Sequence, residues 1–589
     1  MADDTKCLMK LKNLRDNANW TIEEDRHRLL RQMYPLIRHW KGRLPNLRDI
    51  FEKEEIDWLL AESVKFTNRN DYLMEFTPLV EFFIKTGYKD EPDVQDEDGQ
   101  PILRRTTPLH RASRRNVRDI RVSVLEFFKI YDRFDLNYSD EYGFTHFHVA
   151  CKFGYVEIVE KFLELGQDPN CQPQEPNSSP VDSPLQLALF GHHESVVRLL
   201  LKNGADPDLV IKKDGSTLLH VVCKRDDDSY LAKLFFKIID DVEQPIQIDA
   251  RDNKGNTPLH LALDYGFRGA SELLLRHGAD SNVVDWRGYT PLQIICMRDD
   301  VLELVELFFK INDEKNQLVL IDVEDRWGWT PLQFAVARLL PPLVDLLMDH
   351  GADLSTFVFP SKEHFDRCVQ WNERLVVGYK FGLASRALAA VERLEKRGYE
   401  LNRNDALTIM TIFAEYGWFE KSAYFDEFWY DDKPFEREAR KIKIFPKIEK
   451  SKSEAKKATI KQDLSLYDLV QLPPKQAEKL VTYTDYVRIA KSFNWKYERT
   501  KETYERHLCE MVSRGFFRRW ALDSFLELTL YQLPILCCDI IVENLVNEDL
   551  WHVCLAAAGR SHEDSNKKVQ TIDVECYPRR PKRVKKYNV

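Results

Sequence analysis

Thr257-Pro258-Leu259-His260 opens the stretch on which the reading of this chain turns. The same tetrapeptide stands at Thr107-Pro108-Leu109-His110, and with Gln in the last place at Thr290-Pro291-Leu292-Gln293 and Thr330-Pro331-Leu332-Gln333. Weaker copies are Thr145-His146-Phe147-His148, Ser183-Pro184-Leu185-Gln186 and Thr217-Leu218-Leu219-His220, so seven copies lie between residues 107 and 333 at steps of 33 to 40 residues. A Pro just inside a helix start loses nothing, because its missing N–H would have had no partner, and the preceding Thr or Ser can cap that end. In the segment that follows, Leu259, Ala262 and Leu263 share one helical face. A second apolar helix comes next, as in Val196-Val197-Arg198-Leu199-Leu200-Leu201, and stops at Gly204-Ala205-Asp206. Gly suits the left-handed position after a helix end, and the ending returns at Gly278-Ala279-Asp280 and Gly351-Ala352-Asp353. Other copies close with Phe-Phe-Lys-Ile, at 127–130, 235–238 and 308–311, which predicts a longer unit interleaved with the standard one.

The period and the motif resemble the ankyrin-repeat family. The resemblance implies an all-α fold, an ankyrin-repeat solenoid of helix pairs with short β-hairpin fingers, followed here by a small helical F-box-like domain. A repeat array builds surface rather than a catalytic pocket, and it points to binding.

At 589 residues the chain exceeds one compact domain. A net charge of −10 offers no overall electrostatic case for nucleic acid, which calls for a basic face or stripe. Eleven cysteines without paired spacing fit a reducing compartment, and the expectation is an intracellular protein, cytoplasmic or nuclear. The most apolar stretch, Ala521 to Val546, carries Asp523, Glu527, Asp539 and Glu543, too many charges for a bilayer-spanning helix.

The expected organisation is a helical region over 1–100, whose second apolar patch reads as the remnant of a degenerate repeat, then ankyrin repeats over 101–360. A helical extension or cap follows over 361–440, a Lys-rich linker over 441–463, the F-box-like domain over 464–558 and a basic tail over 559–589. Within 464–558 the sharpest line begins at Leu533-Pro534, where Leu-Pro opens a helix, Ile541 and Leu545 share a face, and Asn547 is placed to cap the next helix.

Repeats followed by such a unit resemble the PRANC-domain proteins of poxviruses and of hymenopteran insects, over roughly residues 107 to 558. The resemblance implies docking onto the linker subunit of a cullin-type ubiquitin ligase through Leu533, Pro534, Ile540, Ile541, Leu545 and Leu550, while the repeats hold a target. Apolar anchors of this kind fill a partner's groove. The sequence departs from the F-box pattern at Leu536, where an acidic residue is usual, and at Leu555 and Ala557. The same apolar residues read equally as the core of a small helical domain.

Target binding is expected at the finger tips, where Tyr142, Trp286, Trp327 and Trp329 stand. Packing between adjacent fingers is the other reading of these rings. The tail residues Arg579, Arg580, Lys582, Arg583, Lys585 and Lys586 form a basic run of the kind a nuclear-import receptor reads. No phosphate loop, dinucleotide Gly pattern, His-Glu-x-x-His or Gly-x-Ser-x-Gly is present, and Cys509 and Cys554 have no activating context. The expectation is therefore a non-catalytic interaction protein without cofactor, metal or membrane, for which nucleic acid is a poor partner. It would act as a ligase adaptor or, in the alternative, as an ankyrin scaffold that sequesters signalling or transcription factors.

Overall fold

The computed structural model describes residues 2–63, 77–92, 103–114, 120–172, 182–211, 214–225, 229–298, 301–369, 379–418, 433–444, 464–492 and 501–559. They belong to two compact units, Met1–Leu320 and Ile321–Val589. The regular secondary structure of the described residues is helical, and their β pairing is confined to isolated bridges.

In the first unit the repeat motif makes short inner helices, among them Pro108–Ser113, His146–Phe153, Leu218–Arg225, Pro258–Tyr265 and Pro291–Cys296. Each is followed by an outer helix. Standard outer helices, such as Glu194–Lys202 and Arg268–Arg276, have 9 residues. Two of the Phe-Phe-Lys-Ile copies are indeed elongated, Tyr230–Val242 at 13 residues and Val301–Glu314 at 14. The third, on Ile120–Phe127, ends before its Phe128. Ahead of the first motif, Lys53–Ser63 stacks on Pro108–Ser113 and Thr77–Lys85 on Ile120–Phe127, the arrangement of an earlier helix pair.

The tetrapeptide works as a two-ended clamp. Thr257 caps its helix through a capping box with His260, whose Nδ1 accepts the Thr257 N–H at 3.1 Å. With Nδ1 accepting, Nε2 carries the proton and donates to the Tyr289 carbonyl of the following repeat at 3.2 Å. His220 reaches Asn256 O at 2.9 Å and His110 reaches Tyr138 O at 3.2 Å in the same way. Where Gln replaces His, its Oε1 takes over the first contact, as from Thr290 N at 2.7 Å in Gln293.

The fingers differ from the expected β-hairpins. Those before Thr145, Thr257, Thr290 and Thr330 are turns built on an Asp five residues before the motif. Asp285 Oδ1 accepts the N–H groups of Arg287 and Tyr289, at 2.8 and 2.9 Å, and its own N–H bonds Tyr289 O. Asp140 and Asp252 repeat the pattern. Three residues on, a Gly at positive φ closes the turn, as at Gly288 with φ 81°, a conformation that a Cβ would strain. The carboxylate does the holding that a strand ladder would otherwise do.

The second unit begins with one more motif pair, Pro331–Ala337 and Pro341–Asp349, where Gln333 Nε2 donates to Val358 O at 3.0 Å. Tyr379–Lys396 packs on Pro341–Asp349 and also on Tyr483–Ser492 and the long helix Lys501–Leu528. The residues read as a cap and those read as a separate domain are therefore one body. Glu505 accepts the Phe381 N–H at 3.1 Å, Arg403 pairs with Glu527 at 2.6 Å, and the Phe413 and Phe517 rings meet edge to face at 5.5 Å.

The clamp histidines make stability depend on pH. Burial holds His110 and His148 down at about 4 and lowers His220 and His260 as well. Unfolded histidine titrates near ~6.5, so below that value the unfolded chain binds more protons than the folded one. This contribution is complete above ~6.5 and is lost as pH falls toward about 4. The variant His220→Gln/His260→Gln should keep the fold and show a shallower loss of stability across that window than the parent, measured by urea unfolding at a series of pH values.

Candidate interaction surfaces

Two sets of exposed side chains stand out, one on the terminal helices of the second unit and one on the finger tips. The terminal helices are Ile535–Asn544 and Asn547–Ala557. The first is apolar around most of its circumference, and the fold divides that circumference in two. Cys538 and Val542 face inward and are fully buried, as are Leu550 and Cys554 of the second helix. Leu533, Leu536, Ile540 and Ile541 face outward with helical spacing, Leu536 being 73% exposed and Ile540 60%. Pro534, Ile535 and Val546 are exposed beside them.

Preceding these helices, the long helix ends in a turn that adds to the same exposed stretch. Leu530 and Tyr531 both adopt positive φ, at 53° and 58°. Left-handed backbone costs a residue with a Cβ roughly 1–2 kcal/mol, and two in succession make this an uncommon turn. It is held by Leu530 N to Glu527 O and Tyr531 N to Leu526 O, both 2.9 Å. The side chains it presents are 75% and 73% exposed. Contiguous exposed apolar surface of this kind marks interaction sites in soluble proteins.

A polar knot beneath holds the pair of helices in place. Arg514, almost fully buried, donates to the Glu543 carbonyl at 2.8 Å at the end of the first helix and to Asn547 Oδ1 at 3.2 Å. Asn547 in turn donates to Ser513 Oγ at 2.8 Å and to Glu510 O at 3.1 Å. Its side chain is thus committed to the long helix rather than to the capping role its position suggested, and Val546 is the cap residue instead. A buried guanidinium left without these acceptors would be costly, which explains the assignment.

Of the six residues that the F-box resemblance nominated, Leu533, Pro534, Ile540 and Ile541 are exposed and Leu545 is half-buried. Leu550 is a correction. It is completely buried, because it lies on the inward face of the second helix, and it belongs to the core. The exposed Leu530, Tyr531, Ile535 and Leu536 were not nominated. The signal for Leu536 was present as a departure from the F-box pattern.

At the finger tips Tyr142, Trp286 and Trp327 are exposed, Trp286 to 49%. The Arg114 guanidinium lies over the Tyr142 ring at 4.6 Å and that of Arg287 over Trp286 at 5.9 Å. Trp329 is the second correction, at 6% exposed. It occupies the fourth position after Asp325, whose Oδ1 accepts its N–H at 2.9 Å and turns the side chain inward onto Phe334 and His364. Tyr289 stands at the equivalent place after Asp285 and is buried for the same reason. The basic tail and the Lys-rich linker beyond residue 444 lie outside the described residues.

Nucleophile chemistry finds no support at the cysteines weighed for it. Burial pushes the Cys554 thiol up to about 11 and that of Cys509 well above its usual value, the opposite of activation. Among the described residues no group of three His, Cys, Asp or Glu side chains is arranged to hold a metal ion, and no helix is long and apolar enough to cross a membrane.

A model of the ankyrin-repeat family matches three times, over residues 73–173, 185–285 and 268–357. This part of the chain is an array of ankyrin repeats, a protein-binding and generally non-enzymatic class. The first match starts before the first tetrapeptide and takes in Thr77–Lys85, in keeping with an earlier repeat there. The chain is similar to the B-cell lymphoma 3 protein homolog of Mus musculus, 30% identical over 215 residues, or 36% of this chain and 45% of that protein. It is also similar to the ankyrin repeat protein FPV031 of Fowlpox virus, 24% identical over 268 residues, 45% of this chain and 64% of the relative. The chain thus spans about half to two thirds of the length of these relatives. The solved ankyrin repeat domain of Bcl-3 aligns with 37% of this chain and 96% of that domain, at 26% identity and a TM-score of 0.31.

The division between surface and core is testable by stability. Leu550→Ala should destabilise the protein by about 2–5 kcal/mol, the range for a large side chain removed from a packed core. Leu536→Ser and Ile540→Ser should each shift it by no more than about 0.5 kcal/mol, as for surface sites. Denaturant unfolding of the three variants reads out both.

Proposed function

We propose that this protein is a non-catalytic adaptor. Its ankyrin repeats hold a target protein, and the outward face of Ile535–Asn544 with the turn before it docks the linker subunit of a cullin-type ubiquitin ligase. The observation that carries the reading is the exposure of Leu533, Pro534, Ile540 and Ile541, the residues for which the F-box resemblance implies contact with that subunit. A helix that keeps large apolar residues in water has a use for them, since burying each would be worth roughly 1.5–3 kcal/mol. Leu536, at a position where an acidic residue is usual, adds apolar area to the same face. Similarity to a poxviral ankyrin protein along the repeats is in line with the family resemblance.

The docking physics is helix-in-groove, with Leu533, Leu536, Ile540 and Ile541 spaced at i, i+3, i+7 and i+8 along one face. Specificity would come from the rigid mount. The Arg514–Asn547 knot fixes the angle between the two terminal helices, so the anchors meet a partner already arranged, without ordering cost.

Affinity capture of the full chain from cell lysate tests the reading. The parent should recover the linker subunit together with a target. Leu536→Asp/Ile540→Asp should lose the linker subunit and keep the target, because the substitutions lie on the surface and outside the repeats. If the parent never recovers the subunit while target levels stay constant on tight binding, the protein is a scaffold that sequesters its target and the adaptor reading is wrong.

A further inference from the structure

We infer that the outward face of the terminal helices is covered, in the isolated chain, by the chain's own basic residues 578–589, held by charge against an acidic border. The inference shares its face with the adaptor reading and rests on that reading only for its consequence, that the linker subunit displaces these residues when it docks.

The border is one-sided in charge. Residues 520–559 contain Asp523, Glu527, Asp539, Glu543, Glu548 and Asp549 but neither Lys nor Arg. Glu527 precedes the exposed Leu528, Asp539 and Glu543 share a helix with Leu536 and Ile540, and Glu548 and Asp549 follow the exposed Val546. Cations from elsewhere answer part of this charge: Arg403 pairs with Glu527, Lys475 with Asp539 and Glu543, and Arg518 with Asp539. Among the described residues no cation lies within ion-pair distance of Asp523, Glu548 or Asp549. Those three cations leave the border with a negative excess around an uncharged run, Leu528 to Cys538.

The chain leaves the folded unit beside this face. Arg514, midway along the long helix, meets the end of the first terminal helix, and the Cys554 thiol, near the end of the second, meets Ser524 close to the end of the long helix. The first terminal helix therefore runs back along the long helix and the second runs forward again, which brings Gly559 toward the end where Leu530 and Tyr531 stand exposed. The stretch from Gly559 to Arg579, as a flexible chain, spans about 25 Å, whereas the 10 residues of Ile535–Asn544 make a helix about 15 Å long. The basic run thus reaches every part of the face. It carries Arg579, Arg580, Lys582, Arg583, Lys585 and Lys586 with no acid among them, interleaved with Val584 and followed by Tyr587. The cations suit the border and the apolar side chains suit the centre. Tethering holds the run at an effective concentration of about millimolar, so charge contacts that are individually weak suffice.

Cys537, exposed on this face with Leu533 and Ile541 one turn to either side, supplies the readout. In the full chain at low salt its alkylation by iodoacetamide, followed by peptide mass spectrometry, should be slow, and about 0.5 M NaCl should speed it about fivefold or more by screening the contact. Arg579→Gln/Arg580→Gln/Lys582→Gln/Arg583→Gln/Lys585→Gln/Lys586→Gln should give the fast rate without added salt. Asp523→Asn/Glu548→Gln/Asp549→Asn, which changes the border and leaves the run intact, should also speed the reaction, and combining the two sets should bring no further gain. Lys202→Gln/Lys233→Gln on the outer helices of the other unit should keep the parent's rate. Equal rates in the parent and the basic-run variant, or at low and high salt, would overturn the inference. So would protection that grows with protein concentration, because the cover would then be a second copy of the chain. No linker subunit is present in this experiment, so its failure leaves the adaptor reading standing. If instead the basic-run variant alkylates fast and still captures no linker subunit, the adaptor reading alone is lost.

Discussion

A buried side chain at the third position of each inner helix holds its own helix start with one end and, in His110, His220, His260 and Gln333, a backbone carbonyl of the following segment with the other. In a repeat array each unit touches only its neighbours, and stability is the sum of unit and interface terms. An inter-repeat bond in the dry interior is therefore a structural constraint on everything attached to it. Position three is where such a group must sit. There the side chain returns to the capping residue and still faces the next finger. His and Gln share the needed shape, an acceptor on one side and a donor on the other. They differ in titration, since only the imidazole can be lost to acid.

The finger depends on that bond from the other side. The carbonyl that His260 reaches belongs to Tyr289, and the Tyr289 N–H is held by Asp285. Clamp and turn are thus one continuous chain of hydrogen bonds from helix start to fingertip. The carboxylate holds such a finger from within, single backbone bonds such as Asn253 N to Asp214 O at 2.9 Å and Trp286 N to Lys254 O at 3.2 Å join it to its neighbour, and the side chains of Tyr142 and Trp286 stand exposed at the tips. Variation at the tips costs little structurally, which suits a surface whose shape is set by what it binds.

Much of this was legible because it is local. Thr-Pro-Leu-His states a cap, a helix start and an apolar face within four residues, and its recurrence states the array. The pattern Asp-x-x-Gly-x-Thr at Asp140, Asp252, Asp285 and Asp325 is equally local, and it tells a tip residue from an inward one. Without it Trp327 and Trp329 look alike; with it, the fourth position after the Asp is bound to turn in. What sequence could not express was the joining of Tyr379–Lys396 to the long helix. The contacts that merge them, such as Phe381 with Glu505, span 124 residues and leave no periodic trace.

The terminal helices show the limit of periodicity most directly. Ile535–Asn544 is apolar on nearly every side, so an apolar stripe cannot be told from its complement, and core and docking face were both admissible readings. The long helix decides between them: it covers Cys538 and Val542 and leaves Leu536, Ile540 and Ile541 uncovered. The covered half of the helix is core, and the uncovered half is the face that the proposed docking would use. A helix with one apolar half in its own core and the other in solvent has little polar face to spare. Its solubility then rests on the charges around it, Asp539 and Glu543 paired with Lys475, and on the shortness of the apolar segment. The strained turn at Leu530 and Tyr531 fits this account. Replacing either with Gly would relieve the backbone while removing the exposed side chain.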